Sequence, residues 1–314
     1  MKISFITTVF NEEKTVSALL DSLAEQSRMP DEVIIVDAMS TDNTVESIKY
    51  YVSSIKGKER FKKITFKIIE KRGNRAVGRN EAIKKATGNI IVCSDAGCVL
   101  DKDWVKNITA PFSDPTTDVV AGYYAGKAET VFKKCLVPYV LVMPDRVDPK
   151  NFLPATRSMA FRKSVWEKVG GFPEEYSHNE DYVFAKKLKN IGAHFVFAKD
   201  AIVYWKPRKN LQQAFVMFFR FAYGDAQARI LRPKVAFLFA RYLLGFLLLL
   251  SYFFYRSPLI LTTVYVILAA YVAWSIKKNY RYVNDWRGIF ILPMLQLVSD
   301  MAVLTGTVIG FFVR

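Results

Sequence analysis

The sequence predicts an α/β protein: a mostly parallel, Rossmann-like sheet with helices on both faces, followed by an all-α segment built to enter a membrane. Three observations carry this. Short, continuous apolar runs alternate with stretches of helical periodicity through the first hundred residues, the pattern of a parallel sheet buried on both sides. Polar or charged residues close those runs. Beyond Lys234 the chain turns predominantly apolar, in three stretches of membrane length. The expected division is an α/β domain over 1–208, an amphipathic interfacial segment over 209–233, and about three membrane helices over 234–314.

Taken in order, residues 3–9 are a short buried strand. Residues 14–26 place Val16, Leu19, Leu20 and Leu23 on one helical face. A second apolar strand, 32–36, ends at Asp37. Ser40, Thr41 and Asp42 offer N-caps to a helix through Val45, Ile48 and Val52. Residues 64–69 make a third strand, 76–86 a helix that stops near Gly88, and 90–93 a fourth strand. Asn11, Asp37 and Asp95 follow the first, second and fourth strands, and in such sheets ligands bind at the carboxyl ends. From Val119 to Pro207 the pattern is less regular. Gly170-Gly171-Phe172-Pro173 is a turn, His178-Asn179-Glu180-Asp181 leads into a helix over 182–188, and 195–197 and 201–204 read as two short strands.

Residues 211–230 interleave aromatic and basic side chains, among them Phe215, Phe219, Arg220, Tyr223 and Arg229. Such a helix lies in a membrane interface or packs in the core of the soluble domain. The apolar stretches that follow are 235–254, 259–276 and 289–313. The second is short, so it either spans or folds back as a re-entrant hairpin. Asp300 lies inside the third; an intramembrane carboxylate is either functional or pairs structurally, with Arg241 as the available partner.

Lys and Arg number 45 against 29 Asp and Glu, a net charge of +16. Such an excess suits nucleic acid, an anionic membrane surface or phosphorylated ligands. The three apolar stretches select the membrane and leave nucleic acid without support. Basic residues cluster before the first stretch (Arg229, Arg232, Lys234) and between the second and third (Lys277, Lys278, Arg281, Arg287), which places both clusters, and the α/β domain, on the cytosolic side. The opening apolar run is too short for a signal peptide, in keeping with that side. Cys93, Cys98 and Cys135 lack metal-type spacing and read as buried thiols of a reducing compartment.

Five motifs in order complete the picture: Thr7-Thr8-Val9-Phe10-Asn11-Glu12-Glu13, the run from Asp31 through Asp37 to Asp42, Gly78-Arg79-Asn80, Ser94-Asp95-Ala96-Gly97-Cys98, and Gly171-Phe172 with Glu180-Asp181. Over roughly the first 207 residues this order resembles the family 2 glycosyltransferases of the GT-A fold, including those anchored by C-terminal helices. The resemblance implies an inverting transferase with a nucleoside-diphosphate sugar as donor. Phe10, Asn11 and Glu12 match the loop that lines the nucleoside. Asp37 matches the position that accepts a hydrogen bond from the base, which suits the ring N–H of uracil or guanine. Arg79 matches a residue near the nucleotide, where a cation helps hold the diphosphate; without the family it reads as a solvated helix charge.

Asp95 matches the first aspartate of the family's Asp-x-Asp, which holds a divalent metal, Mg2+ or Mn2+, on the diphosphate. Gly97 stands where the second aspartate would be, so Asp95 either binds the metal alone or binds ribose or sugar hydroxyls. Asp181 matches the general base that deprotonates the acceptor hydroxyl, with Glu180 orienting it or the acceptor; by themselves the two acids read as favourable charges at a helix N-terminus. The expected acceptor is lipid-linked or membrane-proximal, in glycan or glycolipid synthesis. Two rival readings have less support. A sugar-phosphate nucleotidyltransferase lacks its glycine-rich loop after the first strand, and a non-catalytic membrane scaffold is supported by Gly97 alone.

Overall fold

The computed structural model describes residues 1–230 and 232–313. Chain order runs β1 (Ile3–Val9), α1 (Val16–Ala24), β2 (Glu32–Asp37), α2 (Thr44–Lys56), β3 (Thr65–Glu70), α3 (Arg75–Lys85), β4 (Ile90–Cys93), β5 (Cys98–Leu100) and α4 (Trp104–Thr109). It continues with β6 (Val119–Gly126), α5 (Val131–Val140), β7 (Met159–Arg162), α6 (Lys163–Lys168), α7 (Glu180–Asn190), β8 (Phe195–Trp205) and α8 (Leu211–Gln227). Three long helices close it: α9 (Pro233–Tyr255), α10 (Pro258–Val283) and α11 (Gly288–Phe312).

The strands form one mixed sheet in the order β3-β2-β1-β4-β7-β6-β8-β5. β3, β2, β1 and β4 are mutually parallel and β6 is parallel to β8, while β7 runs against both β4 and β6 and β5 against β8. Every residue of β2 and β4 is buried, as an apolar run between two helical layers requires. One core face joins Phe5, Val33, Ile35, Val92 and Trp104 with α1 and α2; the other joins Ile34, Ile91, Phe161, Phe172 and Phe184 with α3 and α7.

Two anchors fix the first half of the sheet. Glu32, 2% exposed, accepts hydrogen bonds from Ser4 Oγ (2.6 Å), Thr87 Oγ1 (2.8 Å) and Lys67 Nζ (3.0 Å). Burial opposes its charge, yet these donors pull its carboxyl down to about 2. Gly78 lets α3 cross close over β1, since a Cβ there would lie 2.7 Å from Thr8 Cγ2. The Asn74 side chain caps the same helix at the Val77 N–H.

Four of the strands and seven of the helices stand within a few residues of their expected places. The structure corrects the third quarter. The two short strands expected over 195–197 and 201–204 are one strand, β8, along which the pairing with β6 jumps from Ala198 to Ile202. The polar Lys199-Asp200 interrupts the apolar run at that jump, and so the run reads as two. β5, β6, β7, α4, α5 and α6 had no counterpart in the pattern. The second apolar segment is α10, 26 residues long, about 39 Å at 1.5 Å per residue, which removes the reason for a re-entrant hairpin.

The chain divides into two compact units, Met1–Lys127 with Met143–Lys206, and Ala128–Val142 with Pro207–Arg314. In the second, α5 joins the long helices, with Tyr139 Oη donating to the Leu292 carbonyl at 3.0 Å. α8 lies along α11 on small residues: a Cβ on Gly306 would come within 2.5 Å of the Phe219 carbonyl, and one on Gly310 within 2.5 Å of the Tyr223 carbonyl. α8 is therefore no part of the α/β core. Asp300, 4% exposed, accepts from Arg241, from Tyr242 Oη (3.1 Å) and Tyr271 Oη (2.8 Å), and from Gln296 Nε2 (2.8 Å). Four donors converge on that carboxylate, Arg241 among them, which is the structural pairing expected.

Candidate active site

Strand directions decide what meets at one edge. β1, β2 and β4 all end there; β7, running the other way, begins there; and β6 and β8 end there. Asn11, Asp37, Asp95, the Thr156-Arg157-Ser158 segment, Tyr124 and Trp205 thus come to the same rim. Because β1 lies between β2 and β4, the Asp37 and Asp95 strands are two spacings apart, about 10 Å.

The β1–β2 end is a rigid pocket wall. Asp37 is 1% exposed and accepts from the Ser40 N–H (2.8 Å) and the Ser40 hydroxyl. Ser40 Oγ in turn accepts from the Asn11 N–H at 2.9 Å, and Asn11 Oδ1 accepts from the Thr41 N–H at 2.8 Å. The Glu12 N–H donates to Thr44 Oγ1 at 2.8 Å, while its carbonyl receives the Thr15 and Val16 N–H groups at the start of α1. Glu12 therefore braces two helix starts. Phe10 and Met39, 55% and 49% exposed, flank the buried Asp37. Asn11 and Met39 both adopt positive φ, 53° and 66°. For a methionine that conformation is costly, and such strain gathers at sites of function.

The β4 end carries charge in two layers. In the buried layer Arg79, 3% exposed, donates to Glu180 Oε1 at 2.6 Å and to Asp95 Oδ1 at 3.1 Å, and its guanidinium lies over the Phe172 ring at 5.6 Å. Phe172 is held by Asn80, whose side chain bonds both its N–H and its carbonyl at 2.8 Å. Gly171 before it has φ of 83° and touches the same Asn80 so closely that a Cβ would sit 2.8 Å from Oδ1. Gly171-Phe172 and Gly78-Arg79-Asn80 thus pack as one unit in this chain. Thr156 Oγ1 also donates to Asp95 Oδ1, at 3.3 Å.

In the accessible layer stand Asp95, Arg157 and Asp181. Asp181 accepts from the Tyr182 N–H (2.8 Å) and the Thr156 N–H (3.3 Å). Asn179, with φ of 60°, turns the chain so that α7 opens at Glu180. Burial and the neighbouring Glu180 charge push the Asp181 carboxyl up, against the pull of Arg79. Burial acts the same way on Asp95, but the guanidiniums of Arg79, Arg157 and Arg75 outweigh it and hold that carboxyl down. Two adjacent carboxylates are thus driven apart, one toward proton exchange and one toward permanent charge.

The structure brings all eight sequence-derived site residues to this rim, with two changes of emphasis. Arg79 and Glu180 are turned into each other beneath the surface, so Arg79 contacts two acids and Glu180 faces a guanidinium. The residues that pattern reading left out are Met39, Tyr124, Thr156 and Trp205, and it left Arg157 without a role; nothing local in the sequence marks them, because strand pairing supplies their position. As for a metal, Asp95 is committed to Arg79 and Thr156 on Oδ1 and has Arg157 Nε 3.9 Å from Oδ2. Gly97 adds no carboxylate, and among the described residues no group of three His, Cys, Asp or Glu side chains converges. These donors do not fit a resident divalent ion. A shallow depression of about 380 Å³ between Thr87 and Glu167 lies at the opposite edge of the sheet, away from this chemistry.

Residues 4–169 match the family model for glycosyl transferase family 2, and residues 90–276 that for glycosyl transferase family group 2. The O-antigen chain rhamnosyltransferase RfbN of Salmonella typhimurium is 26% identical over 243 residues, 68% of this chain and 71% of that protein. The poly(ribitol-phosphate) beta-N-acetylglucosaminyltransferase TarS of Staphylococcus aureus is 26% identical over 195 residues, 60% of this chain but only 32% of TarS. Among solved structures, the mannosyltransferase PcManGT from Pyrobaculum calidifontis, in complex with GDP-Man and Mn2+, aligns with a TM-score of 0.62 at 19% identity over 98% of this chain and 87% of its own. At that identity the likeness is one of fold, the GT-A sheet with its helices.

Proposed function

Because the chain belongs to glycosyl transferase family 2, we propose that it is an inverting transferase that moves a sugar from a UDP- or GDP-linked donor to a membrane-associated, lipid-linked acceptor in the synthesis of an envelope glycan. That it is a glycosyltransferase follows from the family; the donor, acceptor and residue roles are our reading of the site. The observation that carries it is the convergence of Asp181, which accepts from the Thr156 and Tyr182 N–H groups, with Asp95, Phe10 and Asp37 on one edge of the sheet.

In this reading the base lies between Phe10 and Met39, with its ring N–H on a free lone pair of Asp37. Asn11 and Glu12 hold the loop in shape. The diphosphate runs along the rim toward Asp95 and Arg157. The acceptor oxygen attacks the anomeric carbon from the face opposite the diphosphate, and its proton passes to Asp181. The C–O bond to phosphate breaks with its electron pair leaving on the diphosphate, which inverts the anomeric centre. Arg79 and Glu180 set the positions of Asp95 and Asp181 from below, so they are positioning residues.

The second unit is the membrane part. Its helices α9, α10 and α11 are long and apolar enough to cross, and the basic clusters before α9 and at the end of α10 support an α/β unit on the cytosolic side of the cytoplasmic membrane. That anchorage in turn supports a lipid-borne acceptor. The test is Asp181→Asn in detergent-solubilised full-length protein with a panel of UDP- and GDP-sugars and a membrane lipid extract. We expect release of nucleoside diphosphate to fall by about 10² to 10⁴ while donor binding is kept. Turnover retained in the Asn variant would remove Asp181 from the chemistry.

A further inference from the structure

The position that would supply the second acid of a metal site is a glycine in open space: a Cβ on Gly97 meets nothing within 4 Å, and its φ is not in the left-handed region. An aspartate would fit there without rearrangement. The chain therefore lacks this carboxylate by residue choice and not for want of room. What stands beside Asp95 instead is a guanidinium.

That guanidinium is held by two rings, and the backbone on either side of it is anchored. Arg157 lies over the Tyr124 ring at 5.2 Å and the Trp205 ring at 5.5 Å, within reach of a cation–π attraction to both. On one side of it, Thr156 bonds both Asp95 and Asp181. On the other, Ser158 accepts the Trp104 indole N–H at 2.8 Å and donates to the Ala201 carbonyl at 3.0 Å. Gly122 clears the space for that anchor, since a Cβ there would fall 2.0 Å from Ser158 Oγ. The Arg157 side chain is 21% exposed, so its charged end is fixed yet reachable from the rim. Its 3.9 Å distance to Asp95 Oδ2 is too long for a hydrogen bond, and its donors are not spent on that carboxylate.

We infer that Arg157 holds the donor's diphosphate in the role a divalent ion would otherwise fill, so that nucleoside diphosphates bind this protein without metal. The inference rests on the glycosyltransferase reading above. A guanidinium presents planar, permanently charged donors that match two phosphate oxygens at once. Preset at the leaving group, it stabilises the charge that gathers there as the anomeric bond breaks. Asp95 then serves to aim Arg157 and to face the sugar.

Calorimetric titration of UDP and of GDP into the full-length protein, in chelator and in Mn2+, tests this. For one of the two nucleotides we expect the affinities in chelator and in Mn2+ to agree within about threefold. Arg157→Gln should weaken binding in chelator by about tenfold or more, with the thermal transition kept, and Arg157→Lys should recover part of the loss. Gly97→Asp should make binding tighter in Mn2+ than in chelator. Should Arg157→Gln fail to fold, the chelator comparison on the wild type and on Gly97→Asp decides alone. Wild-type binding that vanishes in chelator and returns with Mn2+ overturns the inference and leaves the transferase reading standing. Binding of neither nucleotide in either condition overturns the UDP- or GDP-linked donor, and the inference with it.

Discussion

At the scale of single residues, the site separates two carboxylates by their surroundings. Asp95 is surrounded by arginines; Asp181 sits beside Glu180 and takes its hydrogen bonds from backbone N–H groups. The sign of the Asp181 shift has a kinetic consequence. A carboxyl pushed up holds its proton to higher pH, and a base works only without it. We therefore expect kcat/KM to rise with pH through an apparent value above the ordinary carboxylate range near 4. A profile already flat at pH 4 would count against Asp181 as the base. The sequence put Asp95 after a legible strand and Asp181 at the start of a legible helix, and it was the family resemblance that singled them out. It misjudged the company of Arg79: an arginine on a polar helix face looks solvated, and only the turn at Gly171 and Phe172 folds Glu180 down onto it. Arg157 had no signal at all, since the rings that stack on it come from β6 and β8, about 30 and 50 residues away in the chain.

At the scale of elements, legibility follows burial. β1, β2 and β4 are buried along almost their whole length and were readable to within a residue. β6 changes from buried to half-buried along its length, and β5 is three residues long, so neither presents a period. α5 carries a proline inside it, Pro138, which argues against a helix until its contacts with the long helices are seen. α8 shows the reverse case: its aromatic and basic residues describe a surface, but its small residues decide where it goes. Gly310→Leu should force α8 off α11 and lower stability by about 1–3 kcal/mol. Gly245→Leu, on α9 where a Cβ meets nothing within 4 Å, should leave it unchanged. Thermal unfolding of the two variants in detergent gives the comparison, and equal losses would show that the seam is not what holds α8.

At the scale of the whole molecule, the division into units is coarser than chain order suggests, because residues 128–142 leave the sheet between β6 and β7 to join the helices. Charge asymmetry gave the orientation proposed above, and the native thiols make it testable. Cys93, Cys98 and Cys135 are free and buried, and burial pushes the last two thiols up to about 12 and about 11, so the native protein should be silent to a membrane-impermeant maleimide. Ser257→Cys, between α9 and α10, should label in intact cells. Gly57→Cys, exposed at the end of α2, should label only after permeabilisation, and the opposite result would invert the topology. The Asp300 carboxylate has a bearing on how the chain is made. Arg241 emerges from the ribosome 59 residues ahead of the acid that receives it. At about 5–20 residues per second, roughly 3 to 12 s pass between them. With α9 placed in the membrane as proposed above, it carries an unmatched cation through that interval, and we expect its release from the insertion machinery to follow the synthesis of α11.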